Sequence, residues 1–365
     1  MKEPHRLQTS LRIIWAIALK DVVDAIKNKT ILSALGSVVF TLVMYKYLPY
    51  LSGGDELPNL LLFDAGNSAL AAQLEGSPHF KLLTYDSQEH MLRALTRADY
   101  LELGLVFPAG LDERLQKGET VALDGYAAYW IQEERVQGLR QTVEDEIAFL
   151  AKRPVTIEVN GHKLYPQDPD EAGSGFMVSI AAVLVLTMIG VLIVVHLMLE
   201  EKQAKTIDAL LVAPITPLHM LLGKAVTGMV YCLAGIAAVF ALNPAYITNW
   251  GLALGGAFCG ALFTVGLGLC LGTFFESRQQ LTLWGFVLMS VLLLPAFLAI
   301  EPDLLPAAAI GIARWVPTSA IAWLVRASFP PHVPAGQTLL HLGYVLAWAV
   351  AAYALAAWRM NKLER

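Results

Sequence analysis

The sequence predicts an α-helical membrane protein with six transmembrane helices and one α/β extracytoplasmic domain. Three observations carry this expectation. First, 56% of the 365 residues are hydrophobic and only 16% are charged, against about 25% charged in a soluble domain. Second, six apolar windows, at roughly 30–50, 175–199, 218–242, 251–275, 281–300 and 337–358, are as long as the about 20 residues a helix needs to cross hydrocarbon. Third, the net charge of -5 is unevenly spread: residues 52–172 hold 21 acidic and 10 basic residues, the remainder 10 acidic and 16 basic. An acidic middle and a basic remainder suit opposite sides of a membrane.

Residues 1–29 come first. Leu7, Leu11, Ile14, Trp15, Ala18, Leu19, Val22, Val23 and Ile26 recur at helical spacing, with Arg12, Lys20, Asp21, Asp24 and Lys27 on the other side. This pattern predicts an amphipathic helix lying in the cytoplasmic membrane interface; a soluble helix packed on a partner is the alternative. Residues 30–51 are read as the first span. A signal peptide would have a shorter core and a cleavage site, whereas this run ends in the aromatic belt Tyr45-Lys-Tyr-Leu-Pro-Tyr-Leu51. Of the 16 basic residues outside the acidic stretch, 13 fall in the N-terminal segment, in the loops after the second and fourth spans, and at the C-terminus. The excess of Lys and Arg on the inner side therefore predicts cytoplasmic termini, with residues 52–172 and the loop 301–336 facing outward. Residues 173–365 would hold spans two to six.

Within 52–172, short apolar strands alternate with helix patterns, as expected of a small α/β domain. The predicted strands are NLLLF, FKLLT, LGLVF, TVALD and VTIEV. A helix is expected from about Ser68, and another after a capping box formed by Asp86 and Glu89. Pro108 should open a third helix that stops at Gly118. Val136, Leu139, Val143, Ile147 and Leu150 form the stripe of a longer fourth helix, and Asn160-Gly161 signals a tight turn. Catalytic or metal chemistry is not indicated. Asp64, Asp86, Asp99 and Asp124 sit where capping explains them; His79, His90 and His162 have no paired spacing; Glu144, Asp145 and Glu146 read as a solvated helix face. Tyr126, Tyr129 and Trp130 suggest core or a domain–membrane contact, with contact to a hydrophobic cargo as the alternative. Cys232, Cys259 and Cys270 lie in apolar runs, which excludes a disulfide framework or zinc-type spacing.

The loop EEKQAKTIDALLVAPITPLHMLLGKAV, Glu200 to Val226, separates the second and third spans. Ile207, Leu210 and Leu211 give it a small apolar helical face, and Pro214 and Pro217 stop the helix and turn the chain into the next span. Such a helix suits insertion into a groove on a partner; on pattern alone an ordinary interfacial loop fits equally well. The loop resembles the first cytoplasmic loop of ABC type-2 exporter permeases at Glu200, Glu201, Lys202, Thr206, Ile207, Leu210, Leu211, Pro214, Gly223 and Lys224. Lys205 stands where that pattern has glycine, and Asp208 where it has glutamate. The resemblance extends over nearly the whole chain: an interfacial N-terminal helix, six spans, a large outward domain between the first two, and an external segment, here IGIARWVPTSAIAWLVRASFP, folded as short re-entrant helices carrying Arg314 and Arg326 at the outer headgroup level.

The resemblance implies a permease subunit of the bacterial inner membrane. It would move hydrophobic or amphiphilic cargo, drug-like or lipid-like, outward, and would pair with a second permease copy or paralogue. A separate cytoplasmic ABC ATPase would bind through a coupling helix at 200–213, with Glu200, Glu201, Lys202, Thr206, Ile207, Asp208, Leu210, Leu211 and Pro214 as ATPase-coupling residues. A periplasmic adaptor is a further candidate partner; nucleic acid is not. The chain contains no Gly-x-x-x-x-Gly-Lys-Ser/Thr loop, so ATP and Mg are expected on the partner ATPase and no cofactor in this chain. Three rivals fit less well. An intramembrane protease would use Glu200-Glu201 as part of a Glu-Glu-x-x-x-Arg motif, but Lys205 replaces the arginine and no His-Glu-x-x-His occurs. A sensor or scaffold with an outward ligand domain would need more than the short tail MNKLER for signalling. An ion-coupled transporter usually carries ionisable residues at mid-membrane, and these spans have almost none.

Overall fold

The computed structural model describes residues 3–27, 57–97, 101–159, 163–166, 168–171, 175–203, 216–298 and 307–363, and the single positions 36, 40 and 43. The predicted first span, 30–51, otherwise lies outside the described residues, as does 204–215. Among the described residues, five helices are long and apolar enough to cross a membrane.

Helix α1 (Glu3–Lys27) precedes an α/β unit built of β1 (Asn59–Asp64), α2 (Ala69–Leu74), β2 (Lys81–Tyr85), α3 (Gln88–Arg97), β3 (Leu101–Phe107), α4 (Leu111–Gln116), β4 (Val121–Ala128), α5 (Glu133–Ala151), β5 (Val155–Glu158) and β6 (Lys163–Leu164). The sheet order is β2-β1-β3-β4-β5. β1 runs parallel to β2 and β3, β3 antiparallel to β4, and β4 parallel to β5 and β6. Side chains alternate across the sheet, as the pleat requires. Leu60, Leu62, Leu103, Leu105, Leu123 and Ile157 meet α2, α4 and α5 through Leu70, Leu74, Leu111, Val143 and Ile147. On the other face Leu61 packs on Met91 and Leu95 of α3.

The element ends differ from the sequence expectation in local ways. Ser87, not Asp86, caps α3, its hydroxyl accepting the His90 amide at 3.2 Å. Pro108 stays in the loop, and α4 starts only after Gly110, whose φ of 76° suits glycine. Gly118, at φ 79°, ends α4 as expected, its amide donating to the Leu115 carbonyl. Glu144 is not merely solvated: its carboxylate accepts the Ile157 amide at 2.7 Å and so ties α5 to β5. Asn160-Gly161 lies outside the described residues. The strands on either side of it, β5 and β6, both run parallel to β4.

The helical part follows: α6 (Gly175–Gln203), α7 (Pro217–Leu242), α8 (Trp250–Phe274), α9 (Arg278–Leu298), the short α10 (Ala307–Arg314) and α11 (Pro317–Arg326), and α12 (Ala335–Leu363). Helix α6 is apolar on all sides and 78% of its central window is buried, against 22% for α12; a helix hydrophobic all round belongs in the middle. It crosses α8, which presents small residues every fourth position, Gly256, Gly260, Thr264, Gly268 and Gly272. Lipid tails are as apolar as leucine, so helices in a membrane associate by close packing of small residues. At the crossing, α6 loosens into a π-turn over Met188–Ile193. A Cβ on Gly268 would lie 2.2 Å from the Gly190 carbonyl oxygen, and one on Gly190 would lie 2.3 Å from the Thr264 hydroxyl.

The α/β unit docks on one end of this bundle through aromatic rings. Ala128, Tyr129 and Trp130, at the end of β4, share one apolar core with the helices. The Tyr129 hydroxyl donates to the Tyr246 carbonyl at 3.1 Å, and Trp130 stacks on Tyr246 at 5.6 Å. Tyr126 instead accepts a hydrogen bond from Gln88 within the unit. Tyr129 and Trp130 are therefore core residues, one of the readings the sequence offered.

Gly268→Ala is expected to destabilise the protein by about 1–3 kcal/mol through overpacking, read as a lowered melting temperature in detergent. Gly255→Ala, where an added Cβ meets nothing within 4 Å, should change stability by less than about 0.5 kcal/mol.

Candidate functional site

At the opposite end of the bundle, the last turn of α6 carries three consecutive charged residues, and each turns toward a different helix. Glu200 faces Arg278 at the start of α9, 3.6 Å away, and His196 one turn back on its own helix, 3.5 Å away. Glu201 reaches Lys224 of α7 at 2.9 Å. The Lys202 ammonium donates to the carbonyl oxygens of Thr273 and Phe275, at 2.9 and 3.0 Å, and so covers the C-terminal end of α8, where carbonyls lack intrahelical partners and a cation is favoured. Successive residues on a helix point about 100° apart, which lets three neighbours in sequence hold three neighbours in space.

Lys224 is the centre of this junction. It is 1% exposed, and its ammonium lies 3.0 Å from Asp21 of α1 as well as 2.9 Å from Glu201. The contact is built by the residues around it. Gly223 lets α1 approach: a Cβ there would meet Ile17 at 2.6 Å. One and two turns further along α7, the Thr227 hydroxyl donates to the Ala18 carbonyl at 3.3 Å and the Tyr231 hydroxyl to the Val22 carbonyl at 2.8 Å. Asp21 is 6% exposed, which corrects its assignment to the polar side of α1. The side that packs on α7 includes Ile17, Ala18 and Asp21, while Leu11, Trp15, Leu19 and Val23 form an exposed apolar ridge beside it. Helix α7 itself starts with Pro217 as its first residue. Its N-cap is Thr216, whose amide donates to His219 Nδ1 at 3.2 Å.

Of the residues singled out from sequence, Glu200, Glu201 and Lys202 are brought together here, facing into the bundle. Thr206, Ile207, Asp208, Leu210, Leu211 and Pro214 lie outside the described residues. Thr227 and Tyr231 were missed, Asp21 was placed on the polar side of α1, and Lys224 was read as a basic flank and as part of the Gly223-Lys224 pattern of the resemblance, not as a buried centre. One signal pointed to it: a lysine seven residues into a helix that runs from Pro217, inside an apolar window, needs a buried partner. Among the described residues no cluster of His, Cys, Asp or Glu has metal-binding geometry.

A model of the ABC-2 family transporter proteins matches residues 29–358. The chain belongs to this family. It is thus a multi-pass membrane component of an ABC transporter, a permease that partners an ABC ATPase. No curated protein matches the chain. The family match covers α6 to α9 and the charged junction on α6 and α7; α1, with Asp21, precedes it.

Lys224→Met is expected to destabilise the permease by about 3–5 kcal/mol, because it strands two buried carboxylates. The triple change Asp21→Asn, Glu201→Gln, Lys224→Met removes the charges together and should restore most of that loss. Both effects are read as thermal unfolding in detergent.

Proposed function

We propose that this permease is the membrane subunit of an ATP-driven exporter, and that the junction around Lys224 carries motion from a separate cytoplasmic ATPase into the helices. The observation that carries the reading is the placement of Glu200, Glu201 and Lys202. They sit at the start of 200–213, the stretch proposed as the coupling helix, and each grips a different helix. A displacement of the coupling helix would then be felt at once by α7 and α1, by α8 and by α9. Thr206, Ile207, Asp208, Leu210, Leu211 and Pro214 would meet the ATPase, and Glu200, Glu201 and Lys202 would pass the motion on.

The polarity of the bundle supports the same orientation as the basic flanks. The junction, α1 and the end of α12 lie at one end: Arg359 of α12 stacks over Phe274 at 5.3 Å. The α/β unit lies at the other. We assign the first end to the cytoplasm, with both termini, and the second to the outside of a bacterial inner membrane. Residues 30–51 complete six spans, and a second permease subunit completes a dimer. ATP and Mg belong to the ATPase, not to this chain, and the outward unit is where a periplasmic adaptor would dock. Cargo is amphiphilic in this reading. A groove of about 680 Å³ runs between α6 and α9, walled by Met188, Leu192, Phe286, Met289 and Phe297, with His196 near the junction. Such a lining suits apolar molecules with few polar groups.

Co-purification of the ATPase with the permease tests the assignment. Leu210→Asp should abolish it, because a charge enters the apolar docking face. Glu200→Ala with Lys202→Met should leave ATPase binding intact and suppress the ATP-induced change in spacing between spin labels on α6 and α9. Retained ATPase binding by Leu210→Asp, or an unaltered spacing change in the double variant, contradicts the proposal.

A further inference from the structure

A second cavity, of about 710 Å³, opens at the domain end of the bundle between α9, α10, α11 and α12. It differs in kind from the apolar groove. Arg314 and Arg326 both line it, with Trp315, Trp323, His341 and Tyr344. Arg326, expected at the outer headgroup level, is 4% exposed. Its Nε donates to the Pro169 carbonyl and its Nη2 to Asp170, both at 2.9 Å. Nη1 is buried and has no hydrogen-bond partner. Burial pulls this guanidinium below the ordinary arginine pKa, and Asp170 opposes the pull; arginine stays charged throughout.

Two carboxylates share the wall, and Asp168 keeps its charge beside Arg326. Asp170 pairs with Arg326, and Asp168 accepts the Asp170 amide at 2.9 Å. Arg314 is exposed and, among the described residues, has no acidic partner. Two guanidinium groups on one cavity suit a phosphate, whose oxygens accept from planar N–H pairs. His341 Nδ1 lies 2.8 Å from the Gln337 carbonyl, which can only accept, so Nδ1 carries the proton and Nε2 is left as an acceptor, suited to a headgroup hydroxyl and not to the phosphate. The imidazole is held flat against Trp323, 4.1 Å between centroids.

The rim of the cavity is apolar. Trp315 is 74% exposed and Leu340 68%, and both line the cavity; the Tyr344 hydroxyl bonds to the Trp315 carbonyl and fixes that edge. Indole rings at an edge of this type favour the boundary between headgroups and tails. We propose that this cavity is a binding site for an anionic glycerophospholipid. Its phosphate sits between Arg314 and Arg326, and its acyl chains run out over Trp315 and Leu340. The site is distinct from the groove between α6 and α9 and does not depend on the permease exporting lipid.

Native mass spectrometry of the delipidated full chain in neutral detergent tests it, with dioleoylphosphatidylglycerol as the probe. Saturable binding is expected, weakened about tenfold or more in Arg314→Gln and largely kept in Arg314→Lys. Dioleoylphosphatidylcholine should bind at least about tenfold more weakly, and glycerol phosphate should not displace the lipid. Because Arg314 is exposed and makes no ion pair, its substitution leaves the fold intact, which the melting temperature verifies. Equal binding by Arg314→Gln overturns the proposal. So does equal binding of the neutral lipid, or displacement by glycerol phosphate, which would make the site one for a free anion.

Discussion

Everything at the proposed coupling end hangs on one buried ammonium. Lys224 sits between Asp21 and Glu201 with almost no contact with solvent. A lysine in that position is tolerable only if both its charge and its hydrogen bonds are met from inside the protein. The two carboxylates come from two other helices, so satisfying the lysine forces α1, α6 and α7 into one arrangement. A buried ion pair is weak evidence for net stability, since well-packed apolar residues often do as well. Its contribution here is register. Ile17 against Gly223, Thr227 against Ala18 and Tyr231 against Val22 all require α1 to stand at one height on α7.

The same logic explains why the junction is charged while the helices above it are not. In the bundle, α6 and α8 approach through small residues, down to a carbonyl lying against Gly268. That contact fixes distance but leaves rotation to the side chains. At the membrane boundary the helices end, and their last carbonyls need partners. Lys202 supplies them for α8, while Glu200 pairs with Arg278 at the start of α9 and Glu201 with Lys224 two turns into α7. The charged triplet therefore ties the end of α6 to three other helices, one through its terminal carbonyls and two through ion pairs, which is why the proposed force transfer is placed there.

Much of the chain was legible because it depends on local pattern. Five of the six strands were located by short apolar runs, and five candidate spans by their length; the two-residue β6 carries no such run. Gly118 ended α4 because its conformation is one that residues with a Cβ avoid. The misplaced starts of α3 and α4 were off by one to three residues. Ser87 and Asp86 are both good caps, and only the real backbone turn chooses between them. The sheet order was not legible, since pairing is non-local and β4 turns antiparallel between otherwise parallel neighbours. Asp21 failed for a sharper reason. Helical periodicity sorts residues by polarity, and a carboxylate buried against a lysine 203 positions away looks polar to that test. The small-residue ridge of α8 was equally hidden, because glycine carries no hydrophobic signal. For the candidate site, sequence picked out Glu200, Glu201 and Lys202 as a charged cluster but not that they face inward to three different helices.

Hydrogen–deuterium exchange across α1 tests the central claim most directly, comparing the wild-type permease with Lys224→Met in the same detergent. If Lys224 sets the docking of α1, amides between Ser10 and Asp24 lose protection by about tenfold or more in the variant while those of α8 keep theirs. Unchanged protection of α1 would show that apolar packing alone holds the helix, and the junction would lose its organising residue.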